Sequence, residues 1–169
     1  MKSRQYNITK GLLIVYIIVM TWIILFKMQL DISLLKNMNL RNINLIPFAD
    51  SLIVNGRVDI SEIILNIAVF VPFGVYLCML KEDWSFIKKV APIFGVSLAF
   101  ETLQYIFAIG ASDITDLIGN TLGGVIGIII FELLSKIFKN KTKMIINVLA
   151  LIGTILAIGF LGLIIIVNL

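Results

Sequence analysis

Long apolar stretches alternate with short polar segments along the whole chain. A helix that crosses the roughly 30 Å hydrocarbon core of a bilayer needs about 20 residues. Five stretches approach or exceed this length: 11–26, 60–80, 90–109, 113–138 and 144–167. The pattern therefore predicts an all-α fold, a polytopic transmembrane helix bundle of about five spans that forms a single membrane domain over residues 1–169.

The first apolar stretch is the shortest and allows two interpretations. Lys10 and Lys27 flank it, and their long side chains can reach the interface from the ends of a short span. The alternative is a cleaved signal peptide, but no pair of small residues suitable for cleavage follows Phe26. We therefore expect this stretch to remain as a membrane span.

The lysines and arginines are distributed unevenly between the two sides of the predicted bundle. Of the fourteen, ten fall on one side: Lys2, Arg4, Lys10, Lys81, Lys88, Lys89, Lys136, Lys139, Lys141 and Lys143. The other side has Lys27, Lys36, Arg41 and Arg57, all in one long loop. Because short basic loops stay in the cytoplasm, we predict an N-in, C-out orientation with residues 28–59 outside.

The composition supports a membrane protein and narrows its chemistry. Hydrophobic residues make up 60% of the chain, charged residues 14%, and the mean hydropathy is +1.07. The sequence contains no histidine, so it has no His-dependent nucleophile or His-ligated metal, and we predict neither a metal site nor a cofactor. The lone Cys78 is expected to serve packing, and the basic lysines to face anionic lipid rather than nucleic acid.

Polar residues interrupt the three middle spans, although one aspartate at a helix centre costs on the order of 2.5–3.5 kcal/mol. They recur at i, i+3 or i+4 and so share one face of each helix. The residues are Glu62 and Asn66, then Ser97, Glu101 and Gln104, then Asp113, Asp116 and Asn120. All of them fall in the predicted outer half, with Glu101 about 12 Å below Ile109. We therefore predict one polar pocket near the outer surface.

Several of these residues also have simpler interpretations. Asp113 can cap the helix that follows it, and Asp116 in the first turn would be favoured by the helix dipole. Asn66 and Asn120 can form hydrogen bonds between helices. Glu101 must be protonated, paired or solvated at its depth, which favours a functional role but does not establish one.

Small residues recur on the fourth span at Gly119, Gly123 and Gly127. This spacing lets a neighbouring backbone approach closely, so we expect the fourth helix to be central and its glycines to serve packing. Pro72 in the second span removes a backbone N–H and predicts a bend there.

Five short motifs follow one another along the chain. They are Asn44-Leu45-Ile46-Pro47-Phe48 after Arg41, Asn66 with Phe70-Val71-Pro72-Phe73-Gly74, Glu101-Thr102-Leu103-Gln104, Asp113-Ile114-Thr115-Asp116-Leu117 and Asn120-Thr121-Leu122-Gly123-Gly124 with Gly127. This ordered set resembles the VanZ-like family of bacterial membrane proteins. The resemblance covers roughly residues 40–130, and the span at 144–167 is an extra C-terminal helix.

The resemblance implies a multi-pass plasma-membrane protein, chiefly of Gram-positive bacteria, in a family whose namesake lowers susceptibility to the lipoglycopeptide antibiotic teicoplanin. The implied ligand-binding positions are Arg41, Asn44, Asn66, Glu101, Gln104, Asp113, Asp116 and Asn120. The implied partners are membrane lipids and a lipid-linked cell-wall precursor or the lipoglycopeptide. Many members carry arginine just before the Asp-x-x-Asp pair, where this chain has Ala111, so Arg41 or Arg57 would be the nearest cation.

Three functional hypotheses follow. The first is a non-enzymatic protein that changes how lipoglycopeptides or their lipid-linked targets engage the outer leaflet. The second is an intramembrane enzyme acting on a lipid headgroup, with Glu101, Asp113 and Asp116 as acid-base or cation-binding groups. The third is a small proton-coupled transporter in which Glu101 carries the proton, a hypothesis weakened because no inverted repeat is evident.

Overall fold

A computed structural model of the protein describes residues 2–26, 42–48, 53–54, 57–58, 60–110 and 112–167. The described part is mostly helical, which confirms the predicted all-α class. Its helices are α1 (Lys2–Phe26), α2 (Ser61–Leu80), α3 (Phe86–Phe107), α4 (Ile114–Phe138) and α5 (Thr142–Val167), and a 3-10 turn at Lys139–Lys141 joins the last two.

Four helical stretches among the described residues are long and apolar enough to cross a membrane. They are Arg4–Phe26, Ser61–Leu80, Phe86–Phe107 and Ile114–Gly159. The last stretch covers 46 residues, because it runs from the start of α4 through the 3-10 turn into α5. The chain is therefore a membrane protein by the length and composition of its helices.

α2, α4 and α5 lie within two residues of their predicted bounds, whereas α3 spans Phe86–Phe107 instead of 90–109. The largest difference is at the N-terminus, where α1 begins at Lys2 instead of residue 11. Polar contacts with α5 explain this extension of α1. The hydroxyl of Thr9 lies 3.0 Å from Oδ1 of Asn147, and Nδ2 of Asn147 donates to Oε1 of Gln5 at 2.8 Å. Counting apolar residues cannot detect a helical turn that is held by polar contacts.

The closest helix contact is between α2 and α4, and glycines make it possible. A Cβ atom added at Gly123 would lie 2.1 Å from the carbonyl oxygen of Ile67, and one at Gly127 would lie 2.0 Å from that of Val71. The predicted packing role is thus confirmed at these two positions. At Gly119 the nearest atoms lie 3.8 Å away, so a methyl group would fit there. α4 also packs against α3 and α5, as expected of a central helix.

Three apolar clusters form the core of the described bundle. The largest joins α1, α2, α3 and α4 and includes Met20, Phe70, Ile93 and the fully buried Cys78, which confirms a packing environment for the cysteine. The second consists of Leu12, Tyr76, Met79 and Ile146, from the middle of α1, the end of α2 and the start of α5. The third pairs Leu25, near the end of α1, with Ile109, which follows α3.

Two pairs of short strands are present among the described residues outside the helices. β1 (Ile43–Asn44) pairs in parallel with β4 (Ser112–Asp113), the segment that leads into α4. β2 (Ile53–Val54) pairs antiparallel with β3 (Arg57–Val58). The β1–β4 pair ties the segment that precedes α2 to the start of α4, which the hydrophobic pattern did not predict.

Candidate functional site

The candidate site lies at the end of the bundle where α2 and α4 begin and where α1 and α3 end; we call this the site end. The structure places the predicted polar residues there in three separate groups. One group lines a cavity, a second forms a hydrogen-bonded clamp around the segment before α4, and a third is a buried pair between α3 and α4.

A cavity of about 340 Å³ opens between four helices at the site end. It is lined by Ile23 and Ile24 of α1, Ser61, Glu62, Leu65 and Asn66 of α2, Gln104 of α3, and Asp116 of α4. The predicted residues Glu62, Asn66, Gln104 and Asp116 therefore do meet around one space. We call this space the polar cavity.

The lining residues of the polar cavity differ in burial. Asn66 and Gln104 are 6% and 2% exposed and lie on its inner side, whereas Glu62 is exposed and Asp116 half-buried. Nε2 of Gln104 donates to the carbonyl oxygen of Ile24 at 3.0 Å. The other amide atom of Gln104, Oε1, is buried and has no hydrogen-bond partner among the described residues.

Glu62 and Asp116 each lie in the first turn of a helix, at the site end of α2 and α4. A helix N-terminus carries a partial positive charge that favours a nearby carboxylate. Because α2 and α4 are parallel and in close contact, their N-termini lie on the same side of the bundle. This arrangement favours ionised carboxylates at Glu62 and Asp116, both of which line the cavity.

The clamp begins where the chain folds back after α3. Ala108 adopts a left-handed conformation with φ 54°, and the N–H of Ile109 donates to the carbonyl oxygen of Gln104 at 3.1 Å. The hydroxyl of Ser112 then donates to the carbonyl oxygen of Glu101 at 2.5 Å, and the N–H of Asp113 donates to Oε2 of Glu101 at 2.9 Å. Because the chain returns along α3 after its C-terminal turn, the backbone N–H of Asp113 reaches the carboxylate of Glu101.

Asp113 connects the clamp to β1 and to α4. Its Oδ1 accepts from the N–H of Thr115 at 2.7 Å, which confirms the predicted helix cap, and its Oδ2 accepts from Nδ2 of Asn44 at 3.3 Å. The hydroxyl of Thr115 in turn accepts from the N–H of Phe48 at 2.9 Å. The clamp thus consists of Asn44, Glu101, Ser112, Asp113 and Thr115.

The third group is the pair Ser97 and Asn120, both fully buried. Nδ2 of Asn120 donates to the hydroxyl of Ser97 at 3.0 Å, which confirms the interhelical hydrogen bond that the sequence predicted for this asparagine. Neither residue lines the polar cavity.

Of the eight predicted ligand-binding positions, Asn66, Gln104 and Asp116 line the polar cavity, Asn44, Glu101 and Asp113 belong to the clamp, and Asn120 forms the buried pair. Arg41 lies outside the described residues, as does Ala111. Sequence analysis did not identify Ser61 or Ser112 as site residues, because a single serine does not by itself form a recognisable sequence pattern. No group of three or more His, Cys, Asp or Glu residues in the described part of the chain could hold a metal ion.

The cap at Asp113 leads to a prediction. Asp113→Ala is expected to lower the stability of the protein by about 0.5–2 kcal/mol because α4 loses the acceptor for its first free N–H groups. Asp113→Asn should lose only a small part of this, since asparagine caps almost as well. Thermal unfolding in detergent measures both variants; equal losses would show that the charge, and not the cap, is what the protein needs.

A sequence model of the VanZ/LLP1 family matches residues 13–139. This range contains the residues of the polar cavity and of the clamp. The chain belongs to the VanZ/LLP1 family. Protein VanZ of Enterococcus faecium is 38% identical over 134 residues, which are 79% of this chain and 80% of that protein. No solved structure matches the chain.

The VanZ/LLP1 match ends at the 3-10 turn, so α5 follows the matched region. Each described residue of the polar cavity and of the clamp falls within residues 13–139. The candidate site of this chain is therefore part of the region that it shares with its family.

Proposed function

We propose that this VanZ-family protein is a multi-pass protein of the bacterial plasma membrane that lowers susceptibility to teicoplanin-type lipoglycopeptides. In this proposal it binds, without catalysis, a lipid-linked component at the outer leaflet through the polar cavity. The observation that carries the proposal is the cavity itself, in which buried amides and two carboxylates meet an apolar wall of isoleucine and leucine. Such a surface suits an amphiphile with a polar head and an apolar chain.

The proposal includes five spans in an N-in, C-out orientation, with the site end facing outward. α4 and α5 contain 25 and 26 residues, and each is long enough for one crossing. Support for a reversal between them comes from Ile146 of α5, which packs with Leu12 of α1 and Met79 at the end of α2. The lysines of the α2–α3 loop and of the 3-10 turn lie at that opposite end, as expected of a cytoplasmic face.

This topology can be tested with reporters. We expect a reporter that functions only outside the cytoplasm to be active when it is fused after Leu169. A reporter that functions only inside the cytoplasm should be active when it is fused after Asp83, in the α2–α3 loop. Paired phosphatase and fluorescent-protein fusions at both positions measure this. Cytoplasmic activity after Leu169 would contradict the five-span orientation.

The hydrogen bonds favour binding over acid-base catalysis. Of the three candidate catalytic carboxylates, Glu101 and Asp113 accept hydrogen bonds from backbone N–H groups in the clamp. Asp116 is the one that lines the polar cavity. A carboxylate that holds two chain segments together is poorly placed to exchange protons with a ligand in the cavity.

The size of the polar cavity limits what can enter it. Ligand pockets usually measure roughly 300–1,000 Å³, so a cavity of about 340 Å³ is at the lower end of this range. It fits a headgroup with the first part of a chain rather than a whole lipoglycopeptide. The lipid-linked component is therefore the better candidate for the bound species.

The proposal is tested by expression in a susceptible Gram-positive host without a VanZ-family protein. The wild-type chain is expected to raise the minimal inhibitory concentration of teicoplanin several-fold, and Glu62→Gln with Asp116→Asn is expected to remove this increase at equal membrane abundance. Asp83→Asn, an exposed carboxylate at the opposite end, is the matched control and should behave as wild type. If the double variant protects as well as wild type, the cavity has no part in resistance.

A further inference from the structure

We propose that the polar cavity binds a vicinal diol, two hydroxyl groups on neighbouring carbon atoms, through the side-chain amide of Asn66. The inference rests on the proposed function and adds the chemical class of the ligand headgroup. Two sources offer this chemistry in a membrane, the glycerol headgroup of a phospholipid and a sugar carried on a lipid.

The amide of Asn66 is the observation that points to a ligand. The side chain is 6% exposed and lines the cavity. Neither amide atom has a hydrogen-bond partner among the described residues, and neither is sealed from solvent as Oε1 of Gln104 is. The described residues therefore do not provide the interhelical hydrogen bond that the sequence allowed for Asn66. An amide that is buried without partners is unfavourable, and a bound ligand can satisfy it.

The position of Asn66 places its amide on the inner side of the cavity. Ser61, Glu62, Leu65 and Asn66 line the cavity from α2, and Asn66 lies about 6 Å further along the helix axis than Glu62. Gly119 of α4 lies opposite, where an added Cβ atom would be 3.9 Å from Cβ of Asn66. Because glycine has no side chain, α4 leaves space beside the amide.

The chemistry of an asparagine amide selects the ligand group. The amide has one acceptor oxygen, Oδ1, and two N–H donors on Nδ2. An ammonium group only donates and an ionised phosphate only accepts, so each satisfies one half of the amide. A trans peptide directs its N–H and C=O to opposite sides, so it also satisfies one half. Two neighbouring hydroxyls can satisfy both halves, one donating to Oδ1 and the other accepting from Nδ2.

The apolar side of the cavity suits the carbon atoms of such a ligand. Ile23, Ile24 and Leu65 line this side and can contact the C–H groups of a diol and of the chain that carries it. A ligand that enters must replace the hydrogen bonds that water makes to the Asn66 amide. A diol replaces them, whereas an alkyl group of the same length does not and loses affinity. The cavity should therefore distinguish headgroups that differ only in their hydroxyls.

The experiment uses the purified full-length protein in detergent and native mass spectrometry. Dioleoyl phosphatidylglycerol is compared with dioleoyl phosphatidylpropanol, which has the same charge and the same number of headgroup carbons but no headgroup hydroxyl. Glucosyl dioleoylglycerol is compared with dioleoylglycerol, which lacks the sugar. We expect the diol-bearing lipid of at least one pair to bind about tenfold more tightly than its partner, a difference of ~1.4 kcal/mol.

Asn66→Leu tests whether this residue recognises the diol. Leucine has nearly the shape of asparagine without its donor and acceptor, so the preference within the pair should fall to within about twofold. Asn140→Leu, at an exposed position of the 3-10 turn at the opposite end, is the matched control and should keep the preference. If Asn66→Leu does not fold, Asn66→Ala replaces it in the same comparison.

Each outcome decides the inference. The expected preference for the phosphatidylglycerol, lost in the Asn66 variant, supports the diol site and identifies a glycerol headgroup as its source. The same result with the glucosyl lipid supports the site and identifies a sugar. Equal binding within both pairs, no binding of any probe, or a preference that the Asn66 variant retains overturns the inference.

The two proposals can fail separately, because the Asn66 variant can also be tested for protection against teicoplanin. If it loses protection but the wild type does not distinguish the lipids of either pair, the cavity acts in resistance on another ligand and the diol inference fails alone. If the diol preference is lost in the variant but protection remains, the proposed function fails and the diol site stands.

Discussion

Gly123→Leu is expected to abolish most of the folded yield of the protein. The α-carbon of Gly123 faces the backbone of α2, and a Cβ atom there would lie 2.1 Å from the carbonyl oxygen of Ile67. Overpacking usually costs about 1–3 kcal/mol when side chains can adjust. Here the obstacle is backbone, so α2 and α4 must separate, and we expect a loss at or above the upper end of that range.

The matched control for Gly123→Leu is Gly153→Leu on α5, where no atom of the described residues lies within 4 Å of an added Cβ atom. The control should keep wild-type yield and thermal stability in detergent, because its new side chain enters open space. Size-exclusion profiles and thermal unfolding measure both variants. Equal yield and stability of the two variants would show that α2 and α4 do not meet at Gly123.

Glu101→Leu is expected to be the most damaging change within the clamp. The variant leaves the buried N–H of Asp113 without its acceptor, and a buried donor without a partner costs about 1–3 kcal/mol. Glu101→Gln should be much milder, because the glutamine carbonyl oxygen can accept the same bond. Thermal unfolding measures the difference, and Glu132→Leu, at an exposed position of α4, is the control for adding an apolar side chain.

The same variants separate a structural role of Glu101 from a chemical one. If the clamp is the role of Glu101, then Glu101→Gln should protect against teicoplanin as well as wild type at equal membrane abundance. Loss of protection in this variant, at normal abundance and stability, would contradict that assignment and support proton exchange by Glu101.

The described hydrogen bonds suggest how the clamp and the polar cavity depend on each other. The clamp holds the start of α4 through Asp113 and Thr115, and the adjacent Asp116, in the first turn of α4, lines the cavity. On α3, Glu101 belongs to the clamp and Gln104 to the cavity. The clamp therefore positions two of the polar residues that line the cavity, Gln104 and Asp116.

Much of the helical framework could be predicted from the sequence because it depends on local patterns. Long apolar stretches indicate spans whatever their neighbours, which is why α2 and α4 agree with their predicted bounds to within one residue. The cap at Asp113 and the close packing at Gly123 and Gly127 are also local, since they depend on which residue occupies one position of one helix.

The convergence of polar residues was predictable only in outline. Helical spacing places Glu62 and Asn66 on one face of α2, and the alternating direction of the helices places that face at the same end as Gln104 and Asp116. The spacing of polar residues does not predict where each helix ends or which path the chain follows after it. For this reason the sequence predicted a single pocket, whereas the structure separates the polar cavity from the clamp and from the pair of Ser97 and Asn120.

By itself, the sequence determined that this is a helical membrane protein, that its fourth apolar stretch packs closely through glycine and that its polar residues gather at one end. The tertiary structure decided which of them face the cavity. That choice depends on the turn after Ala108 and on the pairing of Asn44 with Asp113, 69 positions later. Contacts between distant segments depend on the path of the backbone, and local periodicity in the sequence does not predict that path.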